Sequence, residues 1–217
     1  MFTPAIDAGH PSYEGDEGCT AKGFKEKDYT LEIATALHDR LYNRTERLLP
    51  IMTRFEDIVT TFGERCETLD DFQPDFTLAL HVDFNADPRV DGMRAYVLPT
   101  TPLPTATAHT ILKRYGREGH YVDVSGNVQP TRNPVVTAHE LYSNGNKHWT
   151  NDAWHVLNRY RVWNPLLIEM GFASNPAELK WLLSETGKKR IIDALEAGIV
   201  YAYEEHRSME AQGGPSC

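Results

Sequence analysis

The sequence predicts an α/β fold: a single domain with a central twisted sheet, mostly parallel or mixed, flanked by helices. Three observations lead there. Short apolar runs of strand length alternate along the chain with segments whose apolar residues recur at helical spacing. No internal repeat, low-complexity tract or linker divides that alternation. At 217 residues the chain is long enough for one sizeable core, whereas two domains would each be small. In open sheets of this kind, ligands meet the crevice at the carboxyl ends of the strands.

The first element is a short apolar strand that runs into Asp7, Ala8, Gly9 and His10. A Gly-rich loop follows, and then Ile33, Leu37 and Leu41, with Leu31 and Ala34 broadening the face, predict a helix over about 27–48, closed before Pro50. Glu26 lies at its start. "PIMTR" reads as a second strand, and Ile58, Phe62, Cys66, Leu69 and Phe72 as the inner face of a second helix. "FTLALHVDF" has the β-rich apolar character of a buried strand and carries His81 near its end. "MRAYVLP" reads as a strand and "ATAHTILKRYG" as a helix stopped by Gly116.

From 116 to 164 the pattern is irregular and rich in aromatic and amide residues, with a helix expected around "NDAWHVLNRY". "PLLIEMGF" is an apolar strand holding one acid, Glu169. In "SNPAELKWLL", Asn175 reads as an N-cap, Pro176 fits the first helical position, and Glu178 stands where a capping box places its acid. Ile191, Leu195 and Ile199 mark a last helix. The folded domain is expected over 1–207, with a disordered tail over 208–217.

Composition narrows the function. Hydrophobic residues make up 41% and charged residues 24%, ordinary for a globular chain. A net charge of −9 with no basic stripe argues against nucleic acid as a partner, because such binders need clustered Lys and Arg. Cys19, Cys66 and Cys217 are odd in number and without a close pair, which fits neither a disulfide framework nor a cysteine zinc site. Cys19 reads as an incidental thiol and His38, His109 and His206 as surface residues of helices. No signal peptide is seen before the first strand, and no stretch reaches the length of a membrane span. No stable membrane association and no obligate protein partner are expected.

Chemistry collects at one predicted rim. His10 follows the first strand, His81 and Glu169 sit near the ends of later strands, and Glu26 can reach the same crevice from its helix. Taken singly, a strand-end histidine is commonly a polar loop residue, and Glu26 a first-turn acid favoured by the helix dipole. Glu169 is different, because an acid inside "LLIEMGF" would be buried and must be paired, protonated or bound to a cation. Zinc accepts His nitrogen and carboxylate oxygen, and two His with one Glu would supply three ligands, leaving a second Glu to handle protons in a hydrolysis.

In order along the chain, "IDAGHPSYEGDEG", "FKEKDYTLEIATAL", "TR" and later "ER", "FTLALHVDFNA", "GMRAYVLP" and "VLNRYRVWNPLLIEMGFASNPAEL" resemble the zinc-dependent N-acetylmuramoyl-L-alanine amidases of the amidase-3 family. The likeness covers about residues 4 to 205. It implies that His10, Glu26 and His81 ligate one Zn2+ per chain and that Glu169 is the catalytic glutamate. It also implies peptidoglycan as substrate, cut at the amide between N-acetylmuramic acid and L-alanine. Three positions depart from the family pattern: Pro11 replaces a Gly, Ala79 a Ser and Asp83 an Asn. Asp83 reads either as a surface residue or as one near the metal or substrate, and Trp149, Trp154 and Trp163 as groove aromatics or core. The irregular stretch 120–163 is expected to wall a substrate groove. The rival readings are a zinc peptidase on wall peptides and a non-catalytic wall-binding module. The expected setting is that of a phage endolysin, in the host cytoplasm until lysis.

Overall fold

The computed structural model describes residues 1–44, 47–99, 101–137 and 156–212. Its strands are β1 (Pro4–Ala8), β2 (Thr20–Ala21), β3 (Phe24–Lys25), β4 (Ile51–Met52), β5 (Phe76–Asp83), β6 (Arg94–Val97), β7 (His120–Val122), β8 (Val128–Pro130), β9 (Val135–Thr137) and β10 (Pro165–Phe172). The helices are α1 (Glu26–Tyr42), α2 (Phe62–Phe72), α3 (Pro102–Tyr115), α4 (Pro176–Leu182) and α5 (Glu185–Ala211), with helical backbone also over 156–159 and a 3-10 turn over Arg161–Trp163.

Six strands form one mixed sheet in the order β4-β1-β5-β10-β6-β9. The pairs from β4 through β10 are parallel, β10 and β6 are antiparallel, and β6 and β9 are parallel again. The strand period of two sorts side chains between two cores. Ile6, Ala8, Leu78, Leu80, Val82, Leu166, Ile168 and Met170 join the larger core under α1, α3 and α5. Ala5, Ala79, Tyr96 and Leu167 face the smaller core with Leu69 of α2, Val156, Leu157, Tyr160 and Trp163. By the same alternation Asp7, His81 and Glu169 belong to the smaller-core face. That puts chemistry on the side with less apolar cover.

Several boundaries differ from the sequence expectation, each for a local reason. Helix α1 stops at Tyr42 and not near 48, because Leu48 is drawn into a parallel bridge with Phe2 at the sheet's edge. Helix α2 begins only at Phe62, where Thr61 and Glu64 form a reciprocal capping box. Ile58 therefore lies outside it, exposed like Phe72, and the positions it buries are Arg65 and Leu69. Pro102 starts α3 earlier than the apolar spacing suggested. The irregular stretch contains the β7–β8 hairpin and β9. Asn175 does cap α4 through the Ala177 and Glu178 N–H groups. Glu178 does not complete a box, however, and turns inward instead. Helix α5 continues to Ala211, past the expected end of the domain at 207, while 213–217 lie outside the described residues.

Candidate metal centre

His10 stands just beyond β1 with φ at 53°, a left-handed conformation uncommon for a side chain larger than glycine and one that clusters at functional sites. His81 lies inside β5, and Glu26 opens α1. These three elements bring one ligand atom from each residue within 4.8 Å of one another. The packing leaves no slack. A Cβ on Gly9 would meet the His81 ring at 2.5 Å, and one on Gly18, whose φ is +65°, would meet Glu26 Oε2 at 2.6 Å. Glycine at both places lets two imidazoles and a carboxylate converge.

Each ligand is oriented by a second contact. Glu26 Oε2 accepts the Cys19 N–H at 2.8 Å, and Oε1 accepts the Val82 N–H at 2.9 Å while lying 3.1 Å from His81 Nδ1. His10 Nε2 is 3.5 Å from Glu26 Oε1. On its other side, His10 Nδ1 is 2.8 Å from Asp16 Oδ1. Asp16 is itself fixed by the Ser12 N–H at 2.7 Å and the Gly18 N–H at 3.1 Å. Sequence reasoning missed Asp16. Its signal was an acid between glycines six residues after His10, in a loop too short to place it far from that ring.

Burial would lower the His10 pKa, but the Glu26 and Asp16 carboxylates outweigh it and raise it to about 9. Burial pushes Glu26 the other way, and the two imidazoles overcome it and hold the carboxyl below its usual range. His81 Nε2 is buried with no hydrogen-bond partner. A buried ring nitrogen left open beside a carboxylate and a second imidazole is what a cation would complete. Two nitrogens and one oxygen also suit a zinc-type ion. These residues fit a metal.

Glu169 is half-buried in β10 and pairs in register with His81 on β5. The expectation of full burial is therefore relaxed on the face that carries the cluster. Asp83 is buried, not at the surface. Burial raises its carboxyl to about 7 against the pull of Arg94, and Glu26 and Glu178 add to the rise. Cys19 is a half-buried thiol whose Sγ donates to the Val82 carbonyl at 3.1 Å, its pKa raised by burial and by the nearby carboxylates. Trp163 packs in the smaller core beside Tyr160. Trp149 and Trp154 lie outside the described residues, as does much of the expected groove.

Beneath the cluster lies a second polar group that sequence reasoning also missed. Asp7 Oδ1 accepts from Thr53 Oγ1 at 2.6 Å and from the Arg65 guanidinium, and Oδ2 accepts from the Tyr160 hydroxyl at 3.1 Å. Arg65 also donates to the carbonyls of Ala8, Thr60 and Pro11, and Arg54 donates to those of Ala8, Gly9 and Lys27. Two buried guanidiniums thus grip the backbone on both sides of His10. A pocket of about 130 Å³ above them is lined by His10, Asp16, Phe62, Arg65, His81 and Val156.

Residues 5–201 match the Amidase_3 family, described as N-acetylmuramoyl-L-alanine amidase. The chain is 32% identical over 102 residues to the sporulation-specific N-acetylmuramoyl-L-alanine amidase of Bacillus subtilis (strain 168). That overlap takes in 47% of this chain and only 38% of the relative's length. The fold is similar to an N-acetylmuramoyl-L-alanine amidase from Clostridium difficile 630, with a TM-score of 0.70 at 19% identity, covering 94% of this chain and 97% of that one. It is also similar to the catalytic domain of CwlV, an N-acetylmuramoyl-L-alanine amidase from Bacillus (Paenibacillus) polymyxa var. colistinus. There the TM-score is 0.67 at 19% identity, covering 94% and 99%.

Proposed function

Because the chain belongs to the Amidase_3 family of N-acetylmuramoyl-L-alanine amidases, we propose that it hydrolyses the amide joining N-acetylmuramic acid to L-alanine in peptidoglycan, using one zinc ion per chain. The observation that carries this reading is the cluster of His10, Glu26 and His81, with ligand atoms within 4.8 Å, beside Glu169 in register with His81. Zinc held by those three residues would polarise the amide carbonyl and acidify a water.

The chain's own groups do the rest. Asp16 holds the His10 ring so that Nε2 faces the ligand cluster. Glu169 takes a proton from the attacking water as its oxygen bonds to the carbonyl carbon. It then delivers that proton to the amide nitrogen as the C–N bond breaks. The products are a free lactyl carboxylic acid and a free alanine amine. No Ser or Cys is required as nucleophile, in keeping with the raised Cys19 thiol.

Digestion of purified peptidoglycan tests the reading. Zinc-loaded enzyme should release L-alanine amino termini without new reducing sugar ends, chelation should stop it, and Glu169→Gln should retain zinc while losing at least about 100-fold in rate. Reducing ends would mean a glycosidase. Amino termini other than alanine would mean a peptidase, and binding without cleavage a wall-binding module. For the setting we propose a phage endolysin: expressed inside a bacterium, the enzyme should clear the wall only once the inner membrane is breached. Active enzyme outside intact cells would defeat that setting and leave the bond assignment standing.

A further inference from the structure

Arg94 opens β6 directly opposite Glu169 across the antiparallel β10–β6 ladder, so the two side chains leave the sheet on the same face. The guanidinium carbon lies 4.6 Å from the centroid of the Phe172 ring, a cation–π contact that orients the planar cation. Its Nε is buried and has no hydrogen-bond partner. The buried Asp83 carboxylate and the Tyr96 hydroxyl lie near enough to feel the guanidinium, but among the described residues no carboxylate reaches it as a close ion pair. The contrast with the arginines beside the metal cluster is sharp. Arg65 is paired with Asp7, and Arg54 spends its donors on the Ala8, Gly9 and Lys27 carbonyls. Leaving a shielded donor unfilled costs stability, and here it sits one strand spacing from the group assigned to carry protons.

We propose that Arg94 is a subsite for a carboxylate of the substrate, namely one on the peptide that leaves with L-alanine. The inference rests on the amidase reading. The chemistry selects a carboxylate because a guanidinium offers a planar fork that matches it bidentately, and the glycan on the other side of the scissile bond offers mainly neutral hydroxyl and amide groups. The reach agrees as well. Adjacent strands lie about 4.8 Å apart and an extended peptide advances about 3.4 Å per residue, so the residue after L-alanine is the one that falls near Arg94 when the scissile bond is at Glu169.

The experiment compares two soluble N-acetylmuramoyl peptides that differ only in whether the carboxylate of the residue after L-alanine is free or amidated. Steady-state rates are measured for the unaltered zinc enzyme, Arg94→Gln and Arg94→Lys. The unaltered enzyme should favour the free carboxylate by about 10- to 100-fold in kcat/KM, mostly through KM, the scale of a hydrogen bond to a charged group. Arg94→Gln should lose that preference, and Arg94→Lys should restore part of it, which a variant damaged only in folding would not do. Equal rates on both peptides with the unaltered enzyme, a preference that survives in Arg94→Gln, or no recovery in Arg94→Lys would overturn the subsite while the amidase reading stands. If the unaltered enzyme released alanine amino termini from neither peptide, the amidase reading would fall and the subsite with it.

Discussion

Two buried carboxylates, Asp7 near the end of β1 and Glu26 at the start of α1, serve opposite ends. Asp7 is a closed account of charge: a guanidinium, two hydroxyls and nothing left open. Burial would raise its pKa, but Arg65 and Thr53 hold it down. Glu26 is met by two backbone N–H groups and two imidazoles, and the cluster ends with a ring nitrogen that has no partner. The difference separates structure from function more clearly than burial does. A carboxylate whose partners complete one another holds the fold together. One whose partners leave an inward-facing donor atom open is built to receive something.

If that distinction is right, the largest effect falls on the closed set. Asp7→Ala strands the Arg65 charge, and unfolding of the metal-free protein in urea should show a loss of about 3–5 kcal/mol. His81→Ala should cost clearly less in the same assay, because part of that ring is already unpartnered. Equal losses would erase the contrast.

A middle-sized effect belongs to the link between the two regions. Asp16→Asn keeps the size of the side chain but weakens the hold on His10. Competition with a chelator should show zinc affinity lower by about 10- to 100-fold, with little change in metal-free stability. Unchanged affinity would remove Asp16 from the cluster.

The smallest effect concerns a third buried acid that belongs to neither set. Glu178 accepts the N–H groups of Gly92 and Phe172, yet burial still raises its pKa from an ordinary value near 4.5 to about 7. Its protonated form is the one the fold prefers. Its contribution is therefore fully present below about pH 4.5 and is lost as pH rises to about 7. Glu178→Gln should remove that slope, so the stability gap between variant and unaltered protein should shift towards the variant across this window. A gap independent of pH would show that Glu178 stays ionised.

Most of the layer order was legible because it depends on apolar period, and α1, β5, β10 and α5 have periods long enough to read. The four residues at the centre stood out in the sequence because each is a rare type for its place: His81 and Glu169 inside apolar strands, His10 just beyond one and Glu26 at a helix start. What escaped were partners. Asp7 is as improbable in "PAIDA" as Glu169 is in "PLLIE", and the argument that flagged one applied equally to the other. Which cation would answer it depends on Arg65 arriving from α2, a contact 58 residues away that no local pattern encodes. The capping-box reading of Glu178 failed similarly. Spacing suggested a partner at Asn175, whereas the fold offered Gly92, 86 residues off.

The register of His81 against Glu169 has a consequence for how this chain can change over generations. Both residues lie within strands whose alternate positions fill the larger core, so a single-residue insertion or deletion just before Leu166 that slid the rest of β10 by one position would turn Glu169 away from the cluster and Leu166 and Ile168 out of their core together. No such indel could trade activity for a stable fold. Variation in the spacing of these two groups is filtered by folding before it is ever tested by substrate, and new specificities are left to arise in the loops and on β6, the strand that carries Arg94.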